Sequence, residues 1–442
     1  MNCDQARTEI IAYLKDELTV HKRERLEKHL AMCPACRQEL ENARRLLDWT
    51  EAASTDAVVK KVEEIINEAI KASASDIHLE SQRDNTLLVR YRIDGVMQEA
   101  ARIEPVQRQG ILARLKMMSD MSVEESRVSQ DGRLLWKLDG KDYDLRASCI
   151  PYVYGEGVVL RILDATDVCI DLNKVGLSEE HLAVLDRIIH QPMGLFFTSG
   201  PSGSGKTTVL YSILMRSVSP ATKVMTIENP VEYPLLGVNQ TQVNKKLGYT
   251  FTTALRSFMR HDPDIIAVGE IPDLETARLA VETAITGHMV LSQLHTDDAV
   301  GVIQRLRDMG LDNFLISASL LGVESQRLVR KVCRKCARPV EADLNDPIIR
   351  FFGITQDDLA KSIIYKGQGC LNCRNTGYRG RTGIYEIMEI DRDMREIIGN
   401  GATLAEILGE ARQKGFKTLR DDAKEKILAG ITTPEEAFRV LA

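Results

Sequence analysis

Gly200-Pro201-Ser202-Gly203-Ser204-Gly205-Lys206-Thr207 follows the apolar run Leu195 to Thr198 and opens a helical stretch at Lys206. It satisfies G-x-x-x-x-G-K-[ST] in the strand–loop–helix setting that gives the pattern its meaning. The glycines let the backbone curl until its N–H groups point inward at phosphate oxygens, and the helix N-terminus adds positive potential. Lys206 can reach the outer phosphates, while the Thr207 hydroxyl, with Thr208 beside it, can hold Mg²⁺. A chance glycine-rich turn would lack the flanking elements, so the stretch predicts binding of a nucleoside triphosphate with Mg²⁺.

Hydrolysis needs more, a carboxylate at the end of a neighbouring strand. Ile265, Ile266, Ala267 and Val268 form an apolar strand that ends at Gly269 and Glu270, which makes Glu270 the candidate general base. His288 and His295 flank the next strand and are candidates for the same site, although lone histidines are more often structural. From Gly176 to about Val332, apolar runs at Leu195 to Thr198, Lys223 to Ile227, Ile265 to Val268 and Met289 to Leu294 alternate with helical stretches from Lys206, Thr250, Asp273 and Asp297. That alternation predicts an α/β fold with a covered, mostly parallel sheet.

The chain of 442 residues is too long for one core of about 100 to 200 residues. Upstream of the α/β region, residues 58–166 read as an α+β domain. A helix carries Val58, Val62, Ile65, Ile66, Ala69 and Ile70 on one face, and Leu87, Val89, Tyr91 and Ile93 alternate with Leu88, Arg90 and Arg92 up to the turn Asp94-Gly95. Further strands are expected at Leu134 to Leu138, Tyr143 to Ala147 and Gly157 to Leu163, the first two separated by Asp139-Gly140. Residues 1–50 form a small helical module, 51–57 a linker, 167–175 an interdomain linker and 176–442 the second half of the chain. The balance of 58 basic against 64 acidic residues gives no bulk attraction to a polyphosphate, so nucleic acid is not an expected partner. No window reaches the roughly 18 apolar residues of a membrane helix, and the start lacks a signal-peptide pattern. A cytoplasmic chain is expected, with membrane association only through partners.

Seven of the nine cysteines are clustered, leaving Cys149 and Cys169 as expected buried thiols. Cys333-x-x-Cys336 and Cys370-x-x-Cys373 supply four thiolates to one tetrahedral structural zinc, a subdomain spanning 333–373. His29-x-x-x-Cys33-x-x-Cys36 places an imidazole one helical turn before a C-x-x-C pair, and Cys3 completes a Cys₃His set if the first two helices form a hairpin. The alternatives for this second set are a loosely stapled helical pair or a redox switch.

These stretches resemble the secretion ATPase family that powers type II secretion and type IV pilus assembly. Thr226-Ile227-Glu228-Asn229-Pro230-Val231-Glu232-Tyr233 is similar to that family's aspartate box, Asp262 through Glu270 to its Walker B element, and Thr286 through Thr296 to its histidine box. Ser75 to Glu80, Arg90 to Gly95, Gln326 to Arg330 and Gly377 to Glu386 belong to the same resemblance, which covers roughly residues 58 to 442. It implies a PAS-like N-terminal half and a RecA-like C-terminal half that bind ATP between them. It further implies a homo-hexamer on the inner face of the bacterial inner membrane, acting on a polytopic platform protein. Glu228 and Glu232 then orient Mg²⁺ and water, Glu270 is the Walker B glutamate, and Arg90, Arg92 and Arg146, with Arg161 a weaker candidate, neutralise phosphate charge. The tetracysteine insertion points to the secretion and assembly branch rather than the retraction branch. Residues 1–50 resemble the small zinc-finger module of zinc-binding anti-sigma factors and suggest a docking role. Two positions depart from the family pattern: Asn229 replaces an aspartate and Pro272 an arginine. The competing readings are a nucleotide-regulated binding module with weak turnover, working through the N-terminal zinc unit, and a DNA-translocating motor.

Overall fold

Helical spacing of apolar residues builds the first part of the chain. In the computed structural model, which describes residues 1–163 and 171–442, helices α1 (Cys3–Leu14), α2 (Val20–Met32) and α3 (Pro34–Ala53) gather around Ala6, Leu26, Leu30 and Cys36. So few buried side chains cannot hold a fold unaided, which leaves the staple to cysteine and histidine. Asn2 caps α1, its Oδ1 accepting the Gln5 N–H at 2.9 Å. Pro34 sits in the first turn of α3, where its missing N–H costs nothing. The expected linker 51–57 is largely helical instead. α3 runs through the fully buried Ala53, and α4 (Asp56–Lys71) resumes after Ser54 and Thr55.

A six-stranded antiparallel sheet follows. Its strands are β1 (Ala74–Ser81), β2 (Leu87–Ile93), β3 (Val96–Ile103), β4 (Gln130–Leu138), β5 (Lys141–Tyr152) and β6 (Gly155–Leu163), in the order β3-β2-β1-β6-β5-β4. α4 and α5 (Pro105–Met118) cover one face, burying Val62 and Ile66 against Ile77, Leu79, Val89, Tyr91, Leu145 and Leu160. α3 packs on α5 as well, at a point where a Cβ on Gly110 would lie 3.1 Å from the Ala52 carbonyl. Both Asp-Gly turns read from the sequence close hairpins, with Asp94 and Gly95 at φ 50° and 82° and Asp139 and Gly140 at 50° and 79°.

In the second unit, Asp167–Ala442, the alternation of strands and helices gives a three-layer mixed α/β core of the RecA-like kind. The order begins with α6 (Glu179–Ile189), β7 (Gly194–Ser199), α7 (Lys206–Ser217), β8 (Val224–Glu228) and β9 (Val238–Gln242). It continues through α8 (Phe251–Phe258), β10 (Ile265–Val268), α9 (Leu274–Ile285), β11 (Met289–Leu294), α10 (Ala299–Asp308), α11 (Asn313–Ser319) and β12 (Leu320–Val332). β12, β7, β11, β10, β8 and β9 lie parallel in that order, and the strand Tyr378–Glu389 pairs antiparallel on the outer side of β12. α6 and α7 cover one face, and α8 to α11 the other. The helices Leu419–Leu428 and Pro434–Leu441 pack on Val329 and Ile384 beyond the sheet. Of the linker expected at 167–175, residues 167–170, Cys169 among them, lie outside the described residues. Among the described residues no helix is long and apolar enough to cross a membrane.

Ile266 is fully buried at the centre of β10. Ile266→Ala should destabilise the second unit by about 3 kcal/mol, seen as a lower midpoint of chemical unfolding.

Candidate nucleotide site and metal centres

β7 ends at Ser199 and α7 begins at Lys206, so the octapeptide is the whole connection. Gly200, Gly203 and Gly205 adopt φ of 138°, 76° and 93°, where a side chain would strain the backbone. At Gly200 space is closed too, since a Cβ would lie 2.6 Å from the Gln326 carbonyl and 2.7 Å from Ser204 Oγ. Gln326 on β12 braces the loop through its Nε2, which donates to the Ser204 carbonyl at 2.9 Å. Lys206 is buried, its Nζ donating to the carbonyls of Gly200 at 2.7 Å and Pro201 at 2.9 Å. Burial, joined by Arg327 and opposed by Glu324, lowers Lys206 to about 8. His295 Nδ1 lies 3.3 Å from Lys206 Nζ. Burial and then the ammonium both hold His295 below its usual range, so Nδ1 accepts.

The parallel register sorts the other candidates. Glu228 at the end of β8 and Glu270 just after β10 stand on the same sheet edge as the loop, and Gly269 approaches so closely that a Cβ there would lie 3.2 Å from the Glu228 Cα. Glu228 is buried and held by three donors: Thr226 Oγ1 at 2.6 Å, Gln240 Nε2 at 3.1 Å and the Tyr211 hydroxyl. Burial and the Glu228 carboxylate push the Tyr211 phenol above its usual range. Glu232 is exposed beyond that strand end, with its N–H directed at the Tyr211 oxygen at 3.4 Å. Asn229 and Pro272 are both exposed, one after Glu228 and the other two residues after Glu270. His288 is not brought into this group. It precedes β11, its carbonyl accepts the Gly194 N–H at 3.1 Å at the opposite edge of the sheet, and its Nδ1 lies 3.0 Å from the Thr283 carbonyl. Six residues of strand, about 20 Å, separate it from His295. Sequence reasoning missed Tyr211 and Gln240 because they carry no motif, and it quoted Thr226 only as part of the aspartate-box stretch without a role; the fold shows that all three hold Glu228.

The two metal sets assemble as their spacing predicts. Cys333, Cys336, Cys370 and Cys373 converge, with Sγ separations of 3.9 Å (Cys333–Cys370), 3.7 Å (Cys336–Cys373) and 3.7 Å (Cys370–Cys373). A tetrahedron of metal–sulfur bonds of about 2.3 Å has edges of about 3.8 Å, so the thiolates fit one ion. Asn372 Nδ2 at 3.5 Å from Cys333 Sγ and the Gly377 N–H at 3.3 Å from Cys373 Sγ offset thiolate charge. Cys3, His29, Cys33 and Cys36 converge likewise, with Cys3 and Cys33 sulfurs 3.8 Å apart and His29 Nε2 3.3 Å from Cys36 Sγ. Cys149 is buried apart from both sets; burial and Glu156 push its thiol up to about 12.

Residues 51–439 match the family described as "Type II/IV secretion system protein", and residues 3–37 match one described as "Putative zinc-finger". The chain belongs to the type II/IV secretion system protein family. It is similar to a type II secretion system protein E of Dickeya dadantii, 44% identical over 405 residues that cover 91% of this chain and 79% of that protein. It is also similar to the type IV pilus assembly ATPase PilB of Myxococcus xanthus, 42% identical over 401 residues, 90% of this chain and 70% of the relative. Among solved structures it resembles the pilus retraction motor PilT with bound ADP, at 26% identity and a TM-score of 0.56, covering 85% of this chain and 96% of that one.

In this secretion-family chain the arginines of the first unit form a cross-strand row. Arg133, Arg146, Arg161, Asp76 and Arg92 are consecutive partners from β4 to β2. Asp76 accepts from Arg161 Nε at 3.0 Å and lies 3.7 Å from Arg92 Nε, while Arg90 pairs with Glu80. Positive charge therefore exceeds negative along the row, on the face opposite α4 and α5.

Two outcomes follow from the site chemistry. Because the Lys206 ammonium is lost above about 8, affinity for a fluorescent ATP analogue should fall as pH rises from 7 to 9. Elemental analysis should find two zinc ions per chain, one for each cluster, and Cys336→Ser/Cys373→Ser should remove one of them.

Proposed function

We propose that the chain is an ATP-hydrolysing motor that works as a homo-hexamer and drives secretion or pilus assembly through an inner-membrane platform protein. The carrying observation is the glycine-rich loop closed around Lys206, with Glu228 and Glu270 on the same edge of a RecA-like sheet. In this reading the loop N–H groups and Lys206 bind the β- and γ-phosphates, Thr207 holds Mg²⁺, and Mg²⁺ supplies charge neutralisation when bound. Glu270 accepts the proton of the attacking water, and the buried network of Tyr211, Thr226 and Gln240 fixes Glu228 so that it orients water and metal. His295 acts with Lys206, while Arg90, Arg92 and Arg146 add positive charge that offsets the triphosphate in the assembled ring. We assign the antiparallel half, 58–166, to the PAS-like class and both cysteine clusters to structural zinc. The N-terminal cluster then staples a docking module for a protein partner, placing the chain on the cytoplasmic face of the membrane. The lost charges at Asn229 and Pro272 stand on neighbouring strand ends and offset one another.

Purified chain under ring-forming conditions should hydrolyse ATP. Lys206→Ala and Glu270→Gln should each lower kcat/KM by at least about 100-fold, with Glu270→Gln still binding nucleotide. Phosphate release equal in wild type and Lys206→Ala would sink the motor reading.

A further inference from the structure

Glu324 is a fully buried carboxyl group directly behind the nucleotide loop. On β12 it lies beside Thr198 of β7, the strand that leads into Gly200, and neither Oε1 nor Oε2 has a hydrogen-bond partner among the described residues. Four neighbouring groups share that condition, since Thr198 Oγ1, Ser204 Oγ, Ser325 Oγ and Gln326 Oε1 are also buried and unpartnered among the described residues. Thr198 is level with Glu324 on the adjacent strand, and Gln326 is two residues further along β12 on the same face. Gln326 Nε2 already holds the Ser204 carbonyl at 2.9 Å, and Ser204 Oγ closes on Gly200. The unpartnered oxygens thus belong to residues joined by strand pairing and one hydrogen bond, at the floor of the phosphate loop.

Donor and acceptor counts decide the form of Glu324. A carboxylate would set two further acceptors beside the Gln326 amide oxygen, which only accepts, and no described donor lies within hydrogen-bond distance of either Glu324 oxygen. A carboxylic acid adds a donor, and burying it costs far less than burying an unpaired charge. Lys206 supplies no salt bridge, because its ammonium is engaged by the Gly200 and Pro201 carbonyls. The charged groups bearing on Glu324 are Lys206 on α7 and Glu386 on the Tyr378–Glu389 strand; Arg327 on β12 and His295 act on Lys206 in turn. Burial, assisted by Glu386 and opposed by Lys206, holds the carboxyl well above its usual range.

Resting on the nucleotide-binding reading above, we propose that Glu324 is a positioning residue of the phosphate site. As a neutral acid it supplies the donor that the Gln326 amide oxygen lacks, and through Gln326 it fixes the loop floor from behind. It touches no nucleotide itself; its effect passes through Ser204 and Gln326 to the loop backbone.

Full-length chain, Glu324→Leu and Glu324→Gln are compared at pH 7 for direct binding of a fluorescent ATP analogue. Glu324→Leu removes the donor and should weaken binding about tenfold, while its unfolding midpoint stays level or rises because a buried polar group has become apolar. Glu324→Gln offers an amide N–H in place of the acid O–H and should restore most of the lost affinity. Wild-type affinity in Glu324→Leu, or no recovery in Glu324→Gln, would overturn the proposal. Stability against pH gives a second readout. The folded chain keeps a proton that the unfolded chain releases above about 4.3, so wild type should lose stability relative to Glu324→Gln as pH rises from about 5 to 9. A constant difference across that range would also overturn it. Binding that survives Lys206→Ala would instead count against the nucleotide-site reading, which keeps the two failures distinguishable.

Discussion

The pairing of β7 with β12 is the constraint on which the rest of the second unit depends. β7 delivers the chain to Gly200, and β12 lies so close that only glycine fits against the Gln326 carbonyl. That contact, with the Gln326 bond to Ser204, sets the curl of the loop before any ligand arrives. An anion site built from backbone N–H groups needs such preorganisation, because a loose loop would have to be ordered at the expense of binding energy.

Polar burial around the same edge follows from that constraint. Lys206, Glu228 and Glu324 are all withdrawn from water, and each meets the cost differently: Lys206 through backbone carbonyls, Glu228 through three donors, Glu324 through neutrality. Such groups lower stability relative to apolar packing. Their concentration at one end of the sheet, while Phe196, Phe197, Ile266 and Val290 fill its middle, separates the part that does chemistry from the part that holds the fold.

At the other end of the chain the balance is different. The first three helices bury few apolar residues, and Cys3, His29, Cys33 and Cys36 converge beside that small core. α3 then runs directly into the α+β half and packs on α5, so the module is joined by a shared helix rather than a free tether.

Elements with strong apolar rhythm were legible in the sequence. β10 and β11 have the bounds that their apolar runs predict, and Thr250 and Asp273 cap the helices expected to start there. β3, β9 and much of β12 were not legible as strands, because β3 and β9 are polar edge strands without alternation and β12 carries Glu324, Ser325, Gln326 and Arg327 in its middle. The motif residues themselves were also written in the chain: glycine at positive φ, lysine at the helix start and cysteine pairs at ligand spacing are local properties. Which of them meet is not local. Parallel register put Glu270 and His295 on the loop's edge and left His288 on the opposite one, and strand pairing alone set the unremarkable Glu324 beneath the phosphate loop. Sequence determined the chemistry available to this protein; tertiary structure decided which groups share an edge, because spatial neighbours in a sheet come from different strands.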